Sequence, residues 1–348
     1  MAEPLSERGR QILEAIIEEH IASAQPIGSK ALTRFQGIKL SPASVRNVMA
    51  ELEERGYLHS PHTSAGRVPT EKAYRYYVDS LLRICGLDRG SQDRIEQHYH
   101  KRGLQMAELL REASRALSTV AHYTGLVTVP RLQSTVFRRI EFVRLSSRQI
   151  LAVFITQSGM IQNRLIETGE EYSASELEQI TNYLNQSMRG LSIQEARALI
   201  LAEMAQEKAL YDRLLQRAFR LSEEALGELG DGEVFIEGTS HLLDQPEFSD
   251  LERMKRVFRA FEQKSLLLNL LDRGLQAKGV RVIIGGETEY PELAGCSLIT
   301  ASYAGRQGTL GTLGVIGPSR MPYATLIPIV DYTAGMLSRL LDEDLERE

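Results

Sequence analysis

A chain of 348 residues and 39.0 kDa is too long for one ordinary domain and leaves room for two or three. Its composition, 43% hydrophobic and 25% charged, allows real cores, and no apolar run approaches the roughly 18 residues of a membrane-spanning helix. A net charge of −5 excludes a uniformly basic surface, and two cysteines, Cys85 and Cys296, exclude a disulfide framework or a multi-cysteine zinc site.

The N-terminal stretch alternates charged and apolar residues and lacks the greasy core of a secretory signal, so the expected setting is cytoplasmic, with no membrane partner. Charge is unevenly spread. Residues 1–83 hold 11 basic and 10 acidic side chains, a net of +1, which leaves a net of −6 for the remainder. Within residues 30–75, eight basic side chains stand against four acidic ones.

The first helix is marked by Ile12, Leu13, Ile16, Ile17 and Ile21 on one face, and it stops before Gln25–Pro26. A short second helix is expected over Gly28–Phe35. Ser41–Pro42 then supplies an N-cap and a proline at the first helical position. Val45, Val48, Met49 and Leu52 follow at the spacing of a buried stripe, and Gly56 closes the helix. Residues 57–69 form two short extended pieces around a Pro/Ser/Gly turn, and Thr70 caps a further helix through Tyr74, Tyr77, Val78 and Leu81.

Helix, short helix, capped helix and hairpin is the order of a winged helix-turn-helix, whose third helix reads the major groove. The buried stripe leaves Ala43, Ser44, Arg46, Asn47 and Ala50 facing outward. Arg46 suits guanine, and Asn47 suits adenine or a phosphate. Lys30, Arg34 and Lys39 would neutralise flanking phosphates without reading sequence. The hairpin carries no carboxylate and places Arg67 just after Gly66, with His59 and His62 nearby, as a wing laid along DNA would. The candidate DNA-contacting residues are therefore Lys30, Arg34, Lys39, Ser41, Ser44, Arg46, Asn47, His62 and Arg67. The same geometry also serves as a protein-interaction module. His59 and His62 have no further metal ligand nearby in sequence.

Beyond a boundary at residues 84–92, a polar helix is expected over 93–121, with His98 and His100 solvated on different faces. Residues 125–168 read as strands, with turns at Ser146–Ser147 and Ser158–Gly159. The pattern from Ser173 to Leu229 is helical, with Ile193, Ala196, Ile200, Met204, Tyr211, Leu214 and Leu215 at three-or-four spacing. A Val-Phe-Ile strand, a helix over 249–273, strands at 280–284, 297–303 and 309–316, and a Leu-rich acidic helix complete the chain. A β-region that is interrupted by helix and then resumed predicts one α+β domain carrying an insertion. A single reading helix spans only a few base pairs, so two copies on an inverted repeat are expected.

Three runs carry a family resemblance: Gln-Pro-Ile-Gly-Ser-Lys (25–30), Ser-Pro-Ala-Ser-Val-Arg-Asn-Val-Met-Ala-Glu-Leu-Glu-Glu-Arg-Gly-Tyr-Leu (41–58) and Pro-His-Thr-Ser-Ala-Gly-Arg-Val-Pro-Thr (61–70). Together with Gly-Thr-Leu-Gly-Val-Ile-Gly-Pro-Ser-Arg-Met-Pro-Tyr (311–323), they make the chain resemble the heat-inducible transcription repressor HrcA family. That resemblance implies an α+β chain in three parts. These are a winged-helix DNA-binding domain (1–83), a GAF-like α/β domain in two pieces (92–171 and 249–348), and a mostly helical inserted dimerising domain (172–248). It further implies a homodimer acting on double-stranded DNA at an inverted-repeat operator of chaperone operons, with the chaperonin as modulator. The alternative is a winged-helix regulator whose GAF-like domain senses a small molecule.

Other motifs carry less. Gly308, Gly311, Gly314 and Gly317 match neither a phosphate loop nor a dinucleotide fingerprint, and they fit tight strands and turns. Gly285–Gly286 before Glu287 is a strand-end turn that could line a GAF-like pocket. No Gly-x-Ser-x-Gly, His-Glu-x-x-His or Cys-x-x-Cys is present, so no catalytic residue, cofactor or metal is expected and the chain is not read as an enzyme.

Overall fold

The computed structural model describes residues 5–344 apart from 34, 36–37, 39, 62–65, 85, 100–105, 131–135, 158–160, 193–194, 197, 200–216, 219, 223–232, 276–278 and 306–307. No helix among the described residues is long and apolar enough to cross a membrane.

The first helix, α1 (Glu7–Ser23), starts where the Ser6 hydroxyl accepts from the Gly9 amide at 3.1 Å, and it buries Ile12, Leu13, Ile16 and Ile17. The second, α2 (Ser29–Leu32), is a single turn, shorter than the expected Gly28–Phe35. The capped third helix is α3 (Pro42–Glu54), and the hairpin pairs β1 (Leu58–His59) with β2 (Val68–Pro69). Ile27 extends that hairpin, exchanging backbone bonds with Arg67 at 2.9 and 2.8 Å. Only glycine fits at position 66, because a Cβ there would collide with the Ile27 backbone. Helix α4 (Glu71–Tyr76), capped by Thr70, runs on into a π-helical turn at Tyr77–Leu81.

The expected helix over 93–121 is two helices, α5 (Arg89–Gln97) and α6 (Met106–Ala121). The first begins inside the stretch read as a boundary because the Asp88 carboxylate accepts from the Ser91 amide at 3.0 Å and caps it. His98 is not freely solvated. It is half-buried, with Nδ1 3.6 Å from the Glu112 carboxylate, while His100 lies outside the described residues.

Two sheets follow. The larger has five antiparallel strands in the order β7–β3–β10–β9–β8, formed by β3 (Thr124–Thr128), β7 (Val234–Glu237), β8 (Val280–Ile284), β9 (Cys296–Gly305) and β10 (Gly308–Pro318). One face is covered by α6 and the last helix, α10 (Tyr323–Asp344), in a core continuous with that of residues 5–82. The other face carries α8 (Leu251–Glu262) and α9 (Lys264–Leu275). The expected single helix over 249–273 breaks at Gln263, which has ψ +79°. The break lets Leu266, Leu267, Leu268, Leu270 and Leu271 all reach the core, more than one stripe of a straight amphipathic helix would bury. Three glycines of β10 sit where a side chain would collide with Tyr303 (Gly311), the Ile299 carbonyl (Gly314) or the Tyr123 ring (Gly317).

The smaller sheet is β4 (Phe137–Arg144), β5 (Gln149–Thr156) and β6 (Ile161–Glu167), all antiparallel. Helix α7 (Ala174–Ser187), held by a Ser173/Glu176 capping box, packs against it. Phe137, Ile140, Phe154, Ile166, Leu177, Ile180 and Leu184 share a core separate from those of the larger sheet. An expected division at 171/172 therefore falls between two elements of one core, and β7, placed in the expected insertion, belongs to the larger sheet. Alternation shows that a strand has a buried face, but it does not show which sheet the strand joins. Of the apolar series expected in the insertion, Ala196 is buried, whereas Ile193, Ile200, Met204, Tyr211, Leu214 and Leu215 lie outside the described residues.

Candidate nucleic-acid interface

Helix α3 is built so that one side is dry and the other polar. Val45, Met49 and Leu52 are buried and Val48 is half-buried, packing α3 against α1 and α2. The opposite side presents Ser41, Ala43, Ser44, Arg46, Asn47 and Ala50 to solvent. The Ser41 hydroxyl accepts from the Ser44 amide at 3.2 Å and lies 3.0 Å from the Ser44 hydroxyl, satisfying one of the free amides of the first turn. That turn has no carboxylate, so the positive end of the helix dipole stays uncompensated, whereas Glu51, Glu53 and Glu54 gather at the far end. Truncating the cap, Ser41→Ala, removes about 1 kcal/mol from the helix on general grounds.

Lys30 is exposed on α2, which packs on α3. Arg34, Lys39 and His62 lie outside the described residues. Arg67 is half-buried and turned toward the helix rather than away from the hairpin, with its Nε donating to Glu53 Oε2 at 2.8 Å. The structure thus brings Ser41, Ser44, Arg46 and Asn47 onto one exposed face, with Lys30 on the neighbouring helix, and ties Arg67 to the acidic end of α3. Sequence reading did not foresee the Arg67–Glu53 pair, because nothing in a 14-residue separation signals it before the hairpin is folded back.

It also missed Lys72, whose Nζ donates to the Arg55 carbonyl at 2.7 Å and sits 4.5 Å from the centre of the Tyr57 ring. That ammonium closes the C-terminus of α3 and holds the hairpin's first aromatic residue against it. His59 is exposed, and among the described residues no group of three His, Cys, Asp or Glu side chains could hold a metal ion.

Behind the interface, His20 of α1 lies 2.7 Å, Nδ1 to hydroxyl oxygen, from Tyr74 of α4. Burial is the chief reason that the His20 pKa is lowered; Glu247 opposes the shift, while Arg320 and His59 add to it. Burial likewise pushes the Tyr74 hydroxyl well above its ordinary value, so both rings are neutral packing elements near pH 7.

A capped helix with a small, polar, cation-bearing face, carried on a two-sheet body, fits the class of transcription regulators. Comparison with known proteins gives the particular family. Residues 107–327 match the family model described as "HrcA protein C terminal domain". The "Heat-inducible transcription repressor HrcA" of Geobacter sulfurreducens is 54% identical over 338 residues, covering 97% of this chain and 98% of that one. The protein of the same description from Syntrophobacter fumaroxidans is 40% identical over 341 residues, covering 97% and 98%. A crystal structure of a hypothetical protein superposes with a TM-score of 0.60 at 22% identity, over 97% of this chain and 98% of that one, a likeness of fold alone. The chain belongs to the HrcA family of heat-inducible transcription repressors, and it is a transcription repressor, not an enzyme.

Proposed function

We propose that the repressor acts as a homodimer on double-stranded DNA, reading an inverted-repeat operator with α3 of each copy. The observation that carries this reading is the exposed face Ser41–Ser44–Arg46–Asn47 on a helix whose first turn has no acid. Arg46 pairs with guanine and Asn47 with adenine or phosphate, while Ser41 and Ser44 receive a phosphate at the helix N-terminus. Lys30, Arg34 and Lys39 neutralise the flanking backbone, and the hairpin, with His62 and Arg67, serves as the wing. On this reading residues 1–83 form a winged helix-turn-helix and the five-stranded sheet with its helices forms the GAF-like domain. The inserted domain runs between β3 and β7 rather than over 172–248.

The dimer contact assigned here is the open face of the smaller sheet. Across it Val143, Leu151 and Leu165 stand in register, as do Ile155 and Ile161. Val143, Leu165 and Ile161 are 44%, 52% and 64% exposed, because they sit on the side of the sheet that α7 does not cover. The aliphatic residues meet along β5 through Val153, with Arg139, Glu141 and Asn163 beside them; an apolar patch of this kind is rarely left in water, and a second copy of the same face covers it with two-fold symmetry. Chaperonin support of the repressor's activity, which the resemblance implies, completes the proposal. It predicts a larger operator-bound fraction when chaperonin is added.

The reading is tested by binding to DNA upstream of the chaperonin operon. Arg46→Ala or Asn47→Ala should each weaken specific binding by about 1–3 kcal/mol, and Lys30→Ala should weaken all DNA alike and flatten the salt dependence. Unchanged operator affinity in the Arg46/Asn47 double variant would overturn α3 as the reader. The small-molecule alternative has one observation in its favour, a groove of about 900 Å³ lined by Val78, Leu87, Val282, Ile327 and Tyr332 among others. A thermal-shift screen with nucleotides and metabolites tests it, since a true ligand stabilises by mass action.

A further inference from the structure

Residues 82–88 link the π-helical turn to α5, and a seven-residue connection alone would let the N-terminal helices swing about the body. The structure holds them through the shared apolar core and, on its two sides, through two polar contacts. On one side, Arg320 is nearly buried, at 12% exposure. It pairs with Glu247 and donates to the Gln245 side chain at 3.1 Å and to the Ile21 carbonyl of α1 at 3.0 Å. Tyr74 and Tyr323 pack beside it with ring centres 6.2 Å apart.

On the other side, Arg75 of α4 grips the turn that follows β8. Its Nε donates to Glu287 Oε1 at 2.8 Å, and one Nη donates to the other oxygen of the same carboxylate and to the Val282 carbonyl at 2.7 Å. Val282 belongs to β8, which among the described residues is an edge strand whose outward carbonyl has no strand partner. Glu287 is itself oriented by accepting from the Ile284 amide at 2.9 Å. Glu71, one turn before Arg75, accepts from the Gly286 amide at 2.9 Å. Gly285, with φ +53°, leaves its Cβ position to the Glu71 carboxylate, so any side chain there would evict it. The Gly-Gly-Glu turn noted in the sequence is therefore a receptor for α4.

The two sides differ in wetness. The Arg320–Glu247 contact is the drier, at 12% and 22% exposure, whereas Arg75 and Glu287 are 29% and 43% exposed and face the open groove. We infer that the Arg75–Glu287 contact is a latch, with the Arg320 side as its pivot, that fixes the angle of α3 to the body and so the spacing of the two readers in the dimer. This rests on the DNA-reading proposal above. A bidentate Arg–carboxylate pair fixes orientation through two parallel bonds, and its exposure keeps it weak enough to open. Rigidly coupled readers gain from a high effective concentration at the second half-site, and an open latch forfeits part of that gain.

The test compares two DNA probes, the footprinted segment upstream of the chaperonin operon intact and the same segment cut to a single arm. For Arg75→Gln the single-arm affinity should stay within about twofold of wild type, while affinity for the intact repeat falls about tenfold. Gly285→Ala attacks the same seam from the body side and should repeat the pattern. Arg75→Gln, a change at a half-exposed side chain, keeps the test valid if the glycine variant fails to fold. Hydrogen exchange in residues 82–88 should rise in step with the loss on the intact repeat. If Arg75→Gln lowers both affinities equally, or lowers neither, the latch is refuted while the reading helix stands. If wild type binds neither probe, the DNA-reading proposal fails and the latch with it.

Discussion

Arg67 gives the sharpest way to separate a DNA-touching wing from a purely structural hairpin. Replacing it by Ala removes one partly exposed ion pair, whose two side chains are 29% and 33% exposed and 2.8 Å apart. Such pairs contribute about 0.2–1 kcal/mol, so the fold should survive and the unfolding midpoint should move only slightly. The hairpin keeps its backbone bonds to Ile27, which do not involve the side chain. If the guanidinium also meets a phosphate, the plot of log affinity against log salt should lose about one unit of slope. Glu53→Gln is the companion variant. It loses the same ion pair but leaves the cation, so it should match Arg67→Ala in stability while keeping the salt slope. Thermal unfolding and operator titrations at several salt concentrations supply both readouts. A loss of more than about 2 kcal/mol of stability with an unchanged slope would refute the wing role and make Arg67 a clamp on α3.

Three further outcomes follow from the packing. Gly66→Ala should cost about 1–3 kcal/mol, because the new methyl group must push the hairpin off the Ile27 backbone; chemical denaturation measures it, and a neutral result would mean that the hairpin is not seated on Ile27. Leu165→Glu, at a site 52% exposed, should leave the fold intact and turn the dimer into a monomer by light scattering, whereas a dimeric variant would place the contact elsewhere. His20, held neutral by burial, stabilises the fold fully above the ordinary histidine value of about 6.5, and that contribution should fall away as pH drops from there toward its lower folded value. Urea midpoints at pH 7.5, 6.5 and 5.5 should therefore decline less in His20→Gln than in wild type, and parallel declines would contradict the assignment.

The N-terminal helices are legible because each buries a single stripe. Ile12–Leu13–Ile16–Ile17 and Val45–Met49–Leu52 recur at the helical period, and Ser41–Pro42 states the start of α3 outright. The strands of both sheets are legible one at a time for the matching reason, a period of two. Their partners are not. β3 and β4 are separated by a few residues yet join different sheets, because β3 is completed by β7 and β10, more than 100 residues away. The face Val143–Leu151–Leu165 looks in sequence like core, since alternation cannot tell an exposed aliphatic face from a covered one. The Asp88 cap and the break at Gln263 are local and were still missed, the first inside a polar stretch and the second without glycine or proline to mark it. Pairs such as Arg67–Glu53 and Arg75–Glu287 exist only once the hairpin and the edge strand are in place.

The most direct test of the central claim is a nuclease footprint of the full-length protein on the DNA upstream of its organism's chaperonin operon. The account predicts two protected segments related by a two-fold axis, both lost when Arg46 and Asn47 are replaced by Ala and both displaced by rising salt. A single asymmetric segment, or two that persist in the double variant, would contradict a dimer reading its operator through α3.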